Sequence, residues 1–155
     1  MNLDDLPIAE FAFPGPLRDR LVAAILSGAK TSTSSLVLGY ERNDEPLPTA
    51  GQVSAVVDSQ NRRVAAIEVT EVRLVRLADV DLQHVLDEGE GDTSVAQWRA
   101  GHEQFWHSAE SRAELCDPEF MVTDDTLVVA ERFRLVHVAA EDRSFGDSAR
   151  AQAHR

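Results

Sequence analysis

Apolar residues recur along the chain with two different spacings, and these separate the predicted helices from the predicted strands. From Leu17 to Gly28 the apolar positions follow a helical period, with Pro16 suited to the first turn and Gly28 to the C-cap. Residues 93–115 carry the longest helical pattern, which Thr93 or Ser94 can cap, and a shorter helix is predicted after an N-cap at Asp79.

Alternating or β-branched segments predict strands near residues 31–38, 52–58, 64–77 and 126–138. In the third of these, period two predicts that Ile67, Val69, Glu71 and Arg73 share one face. The segment before the first helix predicts a short strand or a packed arm, and residues 39–50 and 116–125 are expected to be loops.

The order of these elements predicts an α+β fold, because helices and strands do not alternate as a doubly wound parallel sheet requires. We expect a small antiparallel or mixed sheet that curls toward a β-barrel, with helices packed at its rim. Residues 1–138 form one predicted domain, and residues 139–155 are expected to be a polar, disordered tail.

Composition narrows the possible partners. The 155 residues carry a formal net charge of −12, so a nucleic acid can be bound only in a local pocket and not over a broad basic surface. The single cysteine excludes an internal disulfide, and no apolar run is long enough to span a membrane. These features, with the acidic N-terminus, predict a cytoplasmic protein without a membrane partner.

The most informative short segment is LSGAKTSTSSL, which contains Lys30, the only lysine in the chain. A lysine in a pocket can lose its proton and act as a base, or stay charged and stabilise an oxyanion or a phosphate. Side chains three positions apart in a straight strand point to opposite faces, so Lys30 can cooperate with Thr33 only if Lys30 lies in a turn. A plain surface lysine at a helix C-terminus is the alternative.

An acidic segment, DEGEGD, supplies further candidates. Glu88, Glu90 and Asp92 could bind a divalent metal ion or transfer protons, although their spacing does not match an EF-hand. A solvated acidic loop before a helix is the common alternative. On the following helix, His102 and Trp106 are candidates for acid–base work and base stacking, and Phe105 and Trp98 are expected to be core residues.

The motifs Gly28-x-Lys30-x-x-Thr33, residues 87–106 and the strand VVAERFRLV together resemble the ASCH domain family, in its longer bacterial subgroup. The resemblance covers roughly residues 10–137 and implies a PUA-like β-barrel. It also implies an RNA-related function, with a ribonuclease acting on single-stranded RNA, with or without a divalent metal ion, as the leading hypothesis.

Two alternatives stay open: an amidohydrolase acting on N4-acetylcytidine-type nucleosides, and a non-catalytic module that binds RNA or a nucleotide. The resemblance implies catalytic roles for Lys30, Thr33 and Glu90. By position, Glu90 matches the family's glutamate better than Glu88 does. The predicted substrate-binding residues are Ser32, Ser35, Tyr40, His102, Trp106 and Arg132.

Overall fold

The computed structural model describes residues 1–140, and a mixed five-stranded sheet organises them. The sheet curls into a half-barrel, which confirms the predicted α+β architecture. Its spatial order is β1-β3-β4-β5-β2, and only the β1–β3 pair is parallel. The strands are β1 (Ile8–Ala9), β2 (Ser32–Leu36), β3 (Val53–Val57), β4 (Arg63–Arg76) and β5 (Leu127–Val138).

Five α-helices pack around this sheet in the described part of the chain. They are α1 (Pro16–Ser27), α2 (Val37–Arg42), α3 (Leu82–Asp87), α4 (Val95–Trp106) and α5 (Ala109–Glu114), with 3₁₀ turns at Leu3–Asp5 and Leu77–Asp79. Helix α1 begins at Pro16 and ends at Gly28, whose φ of 85° is the left-handed C-cap conformation that glycine adopts readily. Ser94 caps α4 by accepting a hydrogen bond from the Gln97 amide.

Three predicted element boundaries were wrong, each because a local contact competes with the pattern. The strand predicted to reach residue 38 ends at Leu36, and α2 follows because Leu38 packs against the core. The helix predicted over 93–115 breaks at His107 and Ser108, where Ser108 caps α5. Helix α3 is capped by Asp81, since Asp79 lies in a 3₁₀ turn.

A β-bulge also changes the faces of β4. The pairing with β5 shifts between Val69, which lies opposite Phe133, and Glu71, which lies opposite Arg132. Thr70 is the extra residue, so Val69 and Glu71 do not share a face as period two predicts. The bulge adjoins the part of β5 that carries the candidate site.

Two hydrophobic clusters lie on the two sides of the sheet. One joins α1 to the inner face, and the other packs α3 and α4 against β2 and the start of β5. No helix within residues 1–140 is long and apolar enough to cross a membrane. The tail predicted for residues 139–155 lies, apart from its first two residues, outside the described part of the chain.

Candidate functional site

Lys30 lies in the turn between α1 and β2, as cooperation with Thr33 requires. The Lys30 amide donates to the Ala24 carbonyl at 3.0 Å, which continues the end of α1. The next amide, of Thr31, donates to the Asp87 carbonyl at 2.8 Å. The turn is therefore tied both to its own helix and to the acidic segment after α3.

Gly89 allows the acidic segment to approach this turn closely. A Cβ atom at position 89 would lie 2.3 Å from the Ala29 carbonyl oxygen, and the backbone φ is +67°. Both the close contact and the positive φ disfavour any residue with a side chain. The glycine thus explains how the residues on either side, Glu88 and Glu90, both reach Lys30.

Glu88 is fully buried and anchors the site. Its Oε2 accepts hydrogen bonds from the Ser34 hydroxyl at 2.6 Å and from the Trp98 indole at 2.7 Å. His102 Nε2 lies 3.2 Å from Oε1, and Lys30 Nζ lies 3.6 Å from the same oxygen. Both carboxylate oxygens are therefore occupied by donors, as a buried charge requires.

His84 completes the surroundings of the Glu88 carboxylate. The Ser34 hydroxyl has one proton and donates it to Glu88, so it accepts from His84 Nε2 at 2.7 Å. Burial would raise the pKa of Glu88, but the hydrogen bonds from His102 and His84 and the charge of Lys30 outweigh it. Together they hold that pKa well below its ordinary value.

The contacts of His102 define its protonation state. Nδ1 lies 2.9 Å from the Trp98 carbonyl oxygen and Nε2 lies 3.2 Å from Glu88, and neither of these oxygens carries a proton to donate. Both ring nitrogens therefore lie next to acceptors, an arrangement that favours the imidazolium form. Burial lowers the pKa of His102, but the hydrogen bond and charge of Glu88 and the charge of Glu90 raise it above its ordinary value overall.

The Lys30 ammonium is held between two carboxylates. Nζ donates to the Ser32 carbonyl at 2.9 Å and lies 3.6 Å from both Glu88 Oε1 and Glu90 Oε2. The Lys30 side chain is 1 % exposed, whereas that of Glu90 is 23 % exposed. Glu90 is therefore the carboxylate of this pair that solvent or a ligand can reach.

The pKa of Glu90 is raised. Burial is the main cause, and the neighbouring Glu88 carboxylate adds to it, while the charge of Lys30 opposes both. Glu88 and Glu90 consequently have pKa values displaced in opposite directions. Environments that shift the pKa values of two neighbouring carboxylates in opposite directions are typical of acid–base sites.

Half-buried polar side chains lie on the inner face of the sheet, the face of β2 opposite to that of Ser34 and Glu88. Thr33 lies directly opposite Glu131 in the β2–β5 pair, so both side chains lie on the same face. Ser35 follows on that face, and its hydroxyl lies 3.3 Å from the Tyr40 hydroxyl. Burial raises the pKa of Tyr40, and the nearby Glu131 charge raises it further, although the Ser35 hydrogen bond lowers it.

Three side chains of this cluster could together hold a divalent metal ion, but only by replacing contacts that they already make. Ligand atoms of Glu88, Glu90 and His102 lie within 4.8 Å of one another. However, the Glu88 oxygens already accept several hydrogen bonds, and a protonated His102 ring would have to release a proton before it could coordinate the ion. Only Glu90 keeps free acceptor capacity, and Asp92, the third predicted ligand, is not part of the cluster.

The structure brings together some of the predicted site residues and separates others. Lys30, Glu90 and His102 meet in the ionic cluster, and Thr33, Ser35 and Tyr40 lie on the inner face. The remaining three border the cluster, but their side chains are engaged in other contacts. Ser32 is buried and donates to the His84 carbonyl, Trp106 is packed in the core, and Arg132 pairs with Asp87 and Glu71.

Sequence reasoning missed the partners of Glu88 and the position of Glu131. His84 precedes Glu88 by four residues on one helix, and Ser34 alternates with Ser32, so both positions carried a detectable spacing signal. Glu131 shares its strand face with Phe133, and an acidic residue on an apolar face was the signal in the sequence that could have identified it. Thr33 makes no hydrogen bond with Lys30 in the described structure.

The half-barrel with helices packed around it defines a PUA-like α+β domain. Comparisons with known proteins give its family. The family model for the ASCH domain matches residues 10–137. The chain therefore belongs to the ASCH domain family, a PUA-like fold that generally binds RNA. The chain matches no curated protein.

Two solved structures are similar over most of the chain. The ASCH domain from Lactobacillus crispatus JV V101 is 26% identical, with a TM-score of 0.70, 84% of this chain covered and 80% of that one. Protein EF3133 from Enterococcus faecalis V583, assigned to the family DUF984, is 24% identical, with a TM-score of 0.74 and coverages of 96% and 84%. The second likeness shows the fold alone.

Proposed function

We propose that this ASCH domain is a hydrolase that cleaves the acyl amide of an N4-acylated cytidine, of which N4-acetylcytidine is the simplest. We choose a substrate whose reacting group is uncharged because each cation at the site is already paired with a carboxylate. Lys30 pairs with Glu88 and Glu90, His102 with Glu88, and Arg132 with Asp87 and Glu71.

This pairing weighs against the ribonuclease hypothesis. A phosphodiester brings a negative charge that has to be stabilised by cations, and it would compete here with carboxylates 3.6 Å from the Lys30 ammonium. An amide carbonyl is neutral when it binds and becomes negative only in the transition state. The Lys30 ammonium can stabilise this negative charge in the transition state, although it is paired with carboxylates while the neutral substrate is bound.

Lys30 forms ion pairs with two carboxylates, so we assign it to the oxyanion and not to the role of a base. Glu90, with its raised pKa and partly exposed side chain, takes a proton from the attacking water. The water oxygen bonds to the acyl carbon, and Lys30 stabilises the negative carbonyl oxygen.

Thr33 lacks a hydrogen-bonded base in the described structure, so we assign its hydroxyl to substrate binding and water to the nucleophilic attack. Ser35 and Tyr40, on the same inner face, supply further hydroxyl groups for the nucleoside. Collapse of the intermediate breaks the C–N bond and releases cytidine and the carboxylic acid.

The test measures acetate and cytidine released from N4-acetylcytidine by the purified protein, beside cleavage of labelled single-stranded RNA. Glu68→Gln is a matched control, because Glu68 pairs with Arg134 away from the site. We expect acetate release by the wild type and the control, and a large loss in Lys30→Met. Cleavage of RNA without acetate release would replace this proposal with the ribonuclease, and binding without turnover would favour the non-catalytic module.

A further inference from the structure

Glu131 is the one acidic side chain on β5, and it lies on the inner face beside the candidate site. Its partner in β2 is Thr33, and its partner in β4 is the apolar Val72. The next residue, Arg132, lies on the opposite face and pairs with Asp87 and Glu71. Glu131 is thus separated from the neighbouring arginine by the sheet.

The Glu131 carboxyl group has no hydrogen bond or ion pair within residues 1–140, although it is half-buried. Glu88, by comparison, is buried with several donors around it. The charge of Lys30, from the turn before β2, acts on Glu131, and the charge of Glu131 in turn acts on Tyr40, from α2. Burial raises the pKa of Glu131 to about 7, although the charge of Lys30 opposes the shift.

Given the proposed amide hydrolysis, on which this inference rests, we propose that Glu131 is the general acid that protonates the leaving nitrogen. Glu90 accepts a proton from water as the water oxygen bonds to the acyl carbon. When the C–N bond breaks, its electron pair remains on N4, and the Glu131 carboxyl proton is transferred to that nitrogen. Proton exchange with solvent then restores Glu131 as the acid and Glu90 as the base.

The structure places these two tasks on different elements near Lys30. Glu90, in the segment after α3, lies 3.6 Å from the ammonium, whereas Glu131 lies on the inner face of the sheet, opposite Thr33. An acyl carbonyl directed at Lys30 would therefore have its water side and its nitrogen side next to different carboxyl groups. This division satisfies the need of amide hydrolysis for a base and an acid in the same turnover.

The experiment measures kcat for N4-acetylcytidine between pH 5 and 9 in the wild type, Glu131→Gln and the control Glu68→Gln. A general acid is active when protonated, so the wild-type kcat should fall as the pH rises through about 7. Glutamine keeps the shape of the neutral acid but cannot give up a proton. We expect a loss of about 100-fold in Glu131→Gln and no alkaline decline near this pH.

His102 also has a raised pKa, and Glu131→Gln leaves that ring in place. If the alkaline decline persists in the variant, it belongs to another group such as His102, and the assignment of Glu131 is wrong. An unchanged kcat in Glu131→Gln would also show that the assignment of Glu131 is wrong. If the folded wild type releases no acetate at any pH, the proposed function fails and the role of Glu131 fails with it.

Discussion

Replacing Glu88 by glutamine tests whether the buried ionic cluster is held together as described. The amide keeps the size of the carboxylate, but its NH₂ group cannot accept the hydrogen bonds that Glu88 receives. Ser34 and Trp98 both donate to Oε2, while His102 and Lys30 lie at Oε1. At least one buried donor therefore loses its acceptor, whichever way the amide is oriented.

The magnitude follows from burial. Removing one partner of a buried ion pair costs about 3–5 kcal/mol, because the other charge stays buried without compensation. Lys30 keeps Glu90 as a partner, so we expect about 3 kcal/mol for Glu88→Gln. For a domain of this size, that corresponds to a fall in Tm of roughly 10 °C.

A double-mutant cycle makes the result specific to the cluster. Urea unfolding is measured for Glu88→Gln, Lys30→Met and the combination, with Glu68→Gln, which removes an ion pair away from the site, as the control. Removing both charges leaves neither one unpaired, so the double variant should be more stable than the sum of the single losses by about 1–3 kcal/mol. A loss below about 1 kcal/mol in Glu88→Gln, or strictly additive losses, would refute this description of the cluster.

Three further outcomes follow from the structure. Gly89→Ala should destabilise the fold by about 3 kcal/mol or more because of the clash with Ala29, whereas Gly91→Ala, with open space, should cost about 1 kcal/mol in urea unfolding. Trp98→Phe removes a donor to the buried Glu88 and should lower the free energy of unfolding by about 2 kcal/mol; an unchanged unfolding midpoint would contradict the bond. Because the folded pKa of Glu131 lies above its unfolded value near 4.3, its contribution to stability should decline from about pH 4.5 to 7, by on the order of 2–3 kcal/mol. Unfolding of Glu131→Gln across this range should lack that decline, and equal pH dependence in both proteins would contradict it.

The parts of the structure that depend on local sequence were predictable. Gly28 ends α1 because the C-cap needs a left-handed backbone, and the turn that follows brings Lys30 to the site. The helix and strand periods gave the order of the main elements. Boundaries failed where core packing or a side-chain cap decides them, as when Leu38 packs on the core and Ser108 caps a new helix.

The candidate site was predicted only in part, because its contacts join segments far apart in the sequence. The acidic motif indicated Glu88 and Glu90 without distinguishing their roles. The difference arises from Ser34, Trp98 and His102, which surround Glu88 and leave Glu90 partly exposed. Glu131 reaches the site through a strand pairing that the pattern of β5 alone does not specify.

The most direct test of the central claim is kcat/KM for N4-acetylcytidine hydrolysis in Glu90→Gln compared with the wild type at pH 7. The Glu90 side chain is partly exposed, so the variant should fold, which circular dichroism can check. If Glu90 removes the water proton beside the Lys30 ammonium, kcat/KM should fall by about 100-fold or more while Glu68→Gln stays at the wild-type value. Equal kcat/KM in Glu90→Gln and the wild type would contradict the proposed site.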